Sequence, residues 1–544
     1  MFAEQSIKRK GRKVWPHRAG KFCRIATFVP LSLALSAFFI YLLHHKGTPR
    51  VWAATDVPIA FWAWRNEAPS EEEVEQAARQ TRADALFLRA GQIDCEDGRL
   101  RRIRPVKGKF PRTLKLHLVY NGTRSLLKEL DRTDEAALAA SVAEAYRADA
   151  ARASDDGARV AGIQLDIDAP TRLLGRYAKV LRALRASLPQ GTKLSVTGLP
   201  SWMDSVELDG LLAEVDFWIP QCYGASIPDR LDQLTPISSP QAVARTMARA
   251  RRLNRPFYAG LAAYGYAVLY GRDGAIREVR GDLDAARVAN DPNLELVERR
   301  PFPAREESAV GASVPGATEW RYVYRARQDG VTDGLAMRAG EALMLDAPSA
   351  SVLRASARAV REQAGEKLLG ICIFRLPGRN DPATLQAGEV AAALNDRETV
   401  VATDIGAEGA GLAAPDDHER AHSLRLTVVN RGTARTLLSD DALVVDLYLP
   451  PGSVRAIAGE GFGAIETLCT SAAASDQAYP CAERRANVLR LKARAWAGGL
   501  RAEAVLSFRG EPPKVLAASV TTRVDDGRVS RSQQQVAVGN GQQP

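Results

Sequence analysis

The chain has 544 residues, 46% hydrophobic and 25% charged, which excludes a chain disordered throughout and calls for more than one folded core. Its net charge of +10 does not mark a nucleic-acid surface. Lys8, Arg9, Lys10, Arg12, Lys13, Arg18, Lys21 and Arg24 against Glu4 supply +7 in residues 1–24, leaving +3 for all that follows, a near-balanced surface.

After that basic segment comes IATFVPLSLALSAFFIYLL, residues 25–43, without a formal charge. As a helix it would be about 28 Å long, the thickness of a bilayer's hydrocarbon core. The preceding Lys and Arg place the N-terminus in the cytoplasm. The expectation is a single-pass signal anchor in the inner membrane, with the bulk of the chain exported. The expected partners are the membrane through this helix, a polysaccharide or glycan and a protein of the envelope; the near-balanced charge of the remainder argues against nucleic acid. A cleaved signal peptide is the rival reading, although no small-x-small site closely follows Leu43.

From 57 to 395 short apolar runs alternate with helical stretches. The runs are IAFWAW (59–64), ALFLRAG (85–91), LKLHLVYNG (114–122), VAGIQLDID (160–168), KLSVTGL (193–199), VDFWIPQCYG (215–224), PFYAGLAAYG (256–265) and LGICIFRLPG (369–378). Between them lie segments such as SEEEVEQAARQ, where Ser70 and Glu73 fit a capping box. Eight continuous apolar strands with helical crossovers predict an α/β fold, a (β/α)8 TIM barrel. An open doubly wound sheet is the alternative, but no Gly-rich dinucleotide turn follows the first strand. Residues 266–350 form a long insertion after strand seven, at the barrel mouth. Residues 400–527 alternate β-formers between Asn-Arg-Gly and Pro-Pro-Gly turns and predict an Ig-like β-sandwich. The polar stretch 528–544 reads as a disordered tail. Cys469 and Cys481, twelve apart, are the candidate disulfide of an oxidising compartment.

Several stretches resemble a bacterial barrel family known only as a domain of unknown function, DUF3142. They include FWAWRNE, GIQLDIDAPTRLLGRYAKVLRALRASLP, LSVTGLPSW and VDFWIPQCYG. This resemblance implies a fold and no activity. A more distant one is to the family 18 glycoside hydrolases, the chitinase-like enzymes, whose fourth strand carries D-G-x-D-x-D-x-E. Laid on AGIQLDID with Gly162 on the glycine, Ala161 and Gln164 replace the first two Asp, Asp166 keeps the third, and Asp168 stands where the acidic Glu would be. Of the sixth-strand M-x-Y-[DN] pattern, Gln221-Cys222-Tyr223-Gly224 keeps only the Tyr.

The residues argue for the same chemistry directly. Asp166 and Asp168 point to one face of a strand, at the C-terminal end where barrels hold their sites. Tyr223 and Gln221 end strand six, Tyr264 ends strand seven, and Arg375 lies near the end of strand eight. Trp62 and Trp64 belong to strand one, Trp202 follows strand five, and Gln164 precedes the Asp pair. Aromatic faces pack on sugar C–H faces while polar groups take hydroxyls. Asp168 is the candidate general acid. Asp166 would raise its pKa and stabilise developing positive charge or orient an N-acetyl group, and Tyr223 would hold the attacking group. Asp94, Asp204 and Glu67 are candidates for an opposing acid. Bland alternatives remain: an Asp pair that caps the next helix and binds Arg172 or Arg375, core roles for Trp62, Trp64 and Tyr223, and an interior His117. No spacing suggests a metal site or a cofactor, and neither a G-x-S-x-G elbow nor a P-loop is present. The expected function is a membrane-anchored glycoside-hydrolase-like barrel acting on polysaccharide or cell-wall glycan. Its rivals are a non-catalytic glycan-binding barrel and a structural envelope protein.

Overall fold

Residues Ile59–Ala63 form β1, and every one of them is buried, as a strand covered on both faces requires. Its side chains alternate between two cores. Phe61 faces the helices, while Ala60 and Trp62 join Phe87, Val119, Phe217 and Tyr223 in an inner cluster. The same division holds around a closed ring of β1, β2 (Ala83–Glu96), β4 (Lys115–Gly122), β5 (Arg159–Asp166), β6 (Lys193–Gly198), β7 (Phe217–Pro220), β8 (Phe257–Ala262) and β16 (Leu368–Phe374). Neighbours are parallel throughout, and pairing of β1 with both β16 and β2 closes the ring. The chain therefore folds as an eight-stranded parallel barrel and not as an open sheet. The short β3 (Arg99–Ile103) extends β2 as a hairpin.

These relationships come from a computed structural model that describes residues 52–224, 227–233, 235–302, 319–378, 381–409, 423–471 and 474–539. The basic segment 1–24 and the apolar segment 25–43 lie outside the described residues. Among those described, no helix is long and apolar enough to cross a membrane.

Crossover helices pack on the ring. Ser70 caps the helix Glu71–Thr81 with the reciprocal Glu73 contact of a capping box. Gly162 of β5 sits where a Cβ would lie 2.3 Å from the Lys193 carbonyl and 2.9 Å from His117 Nδ1. Since the nearer obstacle is backbone, Gly162→Ala is expected to cost about 1–3 kcal/mol, read as a lower denaturation midpoint in urea. His117 stacks on Phe87 at 4.6 Å, and burial lowers its pKa to about 4. It is the neutral interior histidine.

Between β8 and β16 the chain builds a five-stranded antiparallel sheet from β9 (Tyr266–Tyr270), β10 (Ile276–Arg280), β11 (Leu294–Pro301), β12 (Trp320–Ala326) and β15 (Ala342–Ala347). The hairpin of β13 (Gly330–Thr332) and β14 (Leu335–Met337) accompanies it. This sheet shares a core with Leu438 and Ala495 of the C-terminal region, so the two regions pack against each other.

The C-terminal region is all β, running from β17 (Thr403–Gly409) to β26 (Val529–Gly539). Apolar side chains from both ends of its strand order meet in one core around Leu426, Leu447, Leu491 and Leu506. Cys469 and Cys481 are bonded, with Cα atoms 5.8 Å apart. One expectation is corrected here. Most of the segment read as a disordered tail is β26, paired with β25 (Val515–Arg523) from Arg523–Val529 to Val515–Ala537 and touching β17 in parallel. Its side chains are mostly exposed, so the strand is held by its backbone hydrogen bonds, which composition does not register.

Candidate functional site

The last residue of β5, Asp166, faces the barrel interior at its C-terminal end, on the same side of the strand as Gln164. Its two carboxylate oxygens accept hydrogen bonds from Thr197 Oγ1, at 2.5 Å, and from Asn121 Nδ2. Those donors end β6 and β4. Burial raises the Asp166 pKa to about 6; the charge of Asp168 adds to the rise, while the Thr197 bond and Arg89 oppose it. Asp168 lies beyond the end of β5, exposed, with no hydrogen-bond or ion-pair partner among the described residues. Partial desolvation raises its pKa. The alternative in which the pair caps the next helix and binds Arg172 or Arg375 fails: the turn after β5 has no side-chain cap bond, Asp166 is held by Asn121 and Thr197, and Arg375 is bonded to Asp381.

Above Asp166 opens a cavity of about 150 Å³ lined by Trp62, Trp64, Arg89, Asn121, Gln221, Tyr223 and Phe374. Tyr223 stacks on Phe374 at 5.5 Å and meets Tyr264 edge-on at 6.0 Å, and burial pushes its phenol well above the ordinary value. Tyr223 therefore stays protonated and can only donate its O–H proton or accept at oxygen. Trp62, Trp64 and Gln221 stand in the walls of this cavity.

Four sequence assignments need correction, since Gln164, Trp202, Tyr264 and Arg375 are all absent from the walls of this cavity. Gln164 is fully buried; its Oε1 accepts from Trp62 Nε1 at 2.9 Å and its Nε2 reaches Ser195. It positions the indole and touches no open space. Trp202 is also fully buried, packed on Tyr177 and donating to the Ala169 carbonyl at 2.9 Å. It anchors the turn that follows Asp168 from below. Gln164 sits on the right strand face but below the mouth, and strand parity carries no information about depth; Trp202 lies instead in the outer core between the ring and its helices.

Arg375 is 3% exposed. Its guanidinium binds both oxygens of Asp381 and the Gly281 carbonyl, lies 4.6 Å over the Trp64 ring and 5.7 Å from that of Tyr264. Asp381 also accepts from Trp64 Nε1 at 3.4 Å and faces Arg65 at 3.6 Å. Arg375 is therefore no direct substrate contact and shapes the mouth through Asp381 and Trp64, while Tyr264 is packed against Tyr223, Phe374 and this guanidinium behind the cavity wall. Sequence reasoning missed Arg89, Asn121, Thr197 and Asp381. Asn121 and Thr197 carry the signal that singled out Asp166, a polar side chain at a strand's C-terminal end.

The three candidates for an opposing acid fare differently. Asp94 is committed to Thr123 and Arg101, which hold its pKa down. Asp204 pairs with Arg249 at 3.4 Å. Glu67 lines a neighbouring cavity of about 370 Å³ on the other side of Trp64. No second acid lines the Asp166 cavity, and among the described residues no cluster of His, Cys, Asp or Glu could hold a metal ion.

The segment that carries Asp166 and Asp168 matches a family model. Residues 125–294 match the domain of unknown function DUF3142. The resemblance read from GIQLDIDAPTRLLGRYAKVLRALRASLP falls within this DUF3142 match. No curated protein matches the chain. Among solved structures, a chitinase from Chromobacterium violaceum is 16% identical, covers 62% of this chain and 98% of its own, and has a TM-score of 0.40. The spore cortex-lytic enzyme SleL of Bacillus cereus is 14% identical over 63% of this chain and 74% of its own, with a TM-score of 0.40. A family 18 N-acetylglucosaminidase from Paenibacillus barengoltzii is 13% identical over 62% and 99%, with a TM-score of 0.37.

Proposed function

We propose that the barrel mouth binds and cleaves a glycan containing N-acetylated sugars, with Asp168 as general acid. The observation that carries this reading is the pair itself. Asp166 is fixed by two donors with its pKa raised to about 6, and Asp168 stands beside it, exposed and unpaired among the described residues. The exposed carboxyl reaches the glycosidic oxygen, and desolvation favours its protonated form. Asp166 and Tyr223 orient the substrate's own N-acetyl group as the nucleophile. Such substrate assistance needs no protein carboxylate as nucleophile across the cleft, which suits a cavity whose one lining acid is Asp166. The aromatic walls take the sugar faces. In the same reading, residues 25–43 anchor the protein in the inner membrane with the barrel outside. Membrane fractionation with protease accessibility tests that placement: a protected barrel domain in intact spheroplasts overturns it.

Asp168→Asn is expected to lower kcat on an N-acetylated glycan panel by about 10²–10⁴-fold with binding nearly unchanged. Unchanged turnover removes Asp168 from the mechanism. A second reading, a barrel that binds glycan without cleaving it, is favoured by one observation: Asp168 is not among the residues that wall the Asp166 cavity. Equal binding with no turnover in either form selects it.

A further inference from the structure

Arg89 belongs to β2, two residues after Phe87, whose ring lies in the inner cluster of the barrel. Its side chain therefore leaves the same inner face one step nearer the mouth. The pairing of β2 with β4 shifts register between Arg89 and Gly91, a bulge of the kind that re-aims a side chain beside a site. The guanidinium stands half-buried in the wall of the mouth cavity. Its Nη1 donates to the Trp64 carbonyl at 3.0 Å, and its Nε is sealed without a partner. Nη2 is neither sealed nor hydrogen-bonded among the described residues.

Among the described residues Arg89 makes no ion pair, although a cation drawn this far out of water is ordinarily paired. Asp166 does not pair it. Both Asp166 oxygens are taken by Asn121 and Thr197, and the two charges act on each other only at longer range. Burial lowers the Arg89 pKa, and the positive charge of Arg104, just beyond β3, lowers it further; a guanidinium keeps its proton regardless. Two cations thus stand on this side of the mouth, against Asp166 as the one acid in the cavity's walls.

We propose that Arg89 determines specificity at the mouth, selecting a glycan in which the sugar seated there, or its immediate neighbour, carries a carboxylate. This rests on the glycan reading above and names its substrate class. A carboxylate takes charge-assisted hydrogen bonds from the open Nη2, which a sugar hydroxyl cannot match in strength. The cavity encloses about 150 Å³, against about 300–1,000 Å³ for an ordinary ligand pocket. It takes in one ring or one substituent, so a single charged group decides what enters. The carboxylate can belong to a uronic acid or to a lactyl ether on an N-acetylated ring, since both present the same two oxygens.

The test is binding calorimetry on the full chain with three disaccharides. One is neutral, β-1,4-linked N-acetylglucosamine; one joins glucuronic acid to N-acetylglucosamine; one joins N-acetylglucosamine to N-acetylmuramic acid, which carries the lactyl carboxylate. The wild-type protein is expected to bind at least one acidic probe about tenfold more tightly than the neutral one, or ~1.4 kcal/mol, and the probe preferred identifies the source of the carboxylate. Arg89→Gln keeps a donor for the Trp64 carbonyl and Arg89→Met keeps the apolar stem. Both remove the charge, so a folding defect in one leaves the other informative. In each the ratio of acidic to neutral affinity is expected to fall to about one. A wild-type protein without acidic preference, or a ratio that survives in the variants, overturns the role of Arg89 and leaves the glycan reading standing. A wild-type protein that binds none of the three overturns both together.

Discussion

Asp166→Asn is expected to leave a protein that is more stable at neutral pH and nearly without glycan turnover. The folded chain holds the Asp166 carboxyl at about pKa 6, against about 4 in an unfolded chain. The folded state therefore binds this proton more tightly. That contribution to stability is fully present below about pH 4 and is lost as pH rises through 6. An amide carries no such penalty. Asn121 has an Oδ1 without a partner, so rotation of its side-chain amide lets it accept from the amide nitrogen that the substitution introduces, while Thr197 can still donate to the remaining oxygen. The gain above pH 7 is expected to be on the order of 1–2 kcal/mol once solvent screening is allowed for. Thermal melts of the two proteins should separate above pH 6 and converge at pH 4. Under the proposed mechanism turnover should fall by about 10²–10³-fold, because the fixed negative charge set against developing positive charge would be gone. A variant that is destabilised equally at both pH values would assign Asp166 a structural role only.

Asp381→Ala is expected to be the most destabilising single change near the site. It strips the partner from a guanidinium that is 3% exposed, and breaking a buried pair from one side costs about 3–5 kcal/mol. The damage is also functional. Asp381 holds Trp64 through its Nε1 and faces Arg65, so Trp64 loses its place in the walls of two cavities. Urea denaturation reads the first effect, and loss of affinity for oligosaccharides reads the second. Replacing both Asp381 and Arg375 by Leu removes the uncompensated charge and is expected to recover much of the stability, but not the placement of Trp64. If the double variant is as unstable as Asp381→Ala, the cost lies in packing and not in the orphaned charge.

The sequence carried the barrel because each strand is a continuous apolar run, and in β1 and β5 period two separates inner from outer side chains. The same periodicity put Asp166 and Gln164 on the inner face, and the spacing of Ser70 and Glu73 marked a helix start that is present. Depth was not legible. Gln164 shares β5 with Asp166 but is closed in, and Trp202 packs outward among the helices, because depth and side depend on how far each strand and turn extends relative to its neighbours. Asp381 gave no signal at all. It sits in a loop without periodicity, and its meaning comes from Arg375, Trp64 and Arg65, which reach it only after the ring has closed.

Local pattern thus dictated what forms each strand, which face it buries and where two acids leave β5, since these follow from neighbours along the chain. Tertiary structure alone decided which polar groups become donors to Asp166, which aromatics are sealed and which are open, and that a glutamine-rich end becomes β26. Those outcomes depend on pairings between residues tens to hundreds of positions apart, such as β26 with β17, and no window of sequence contains both partners.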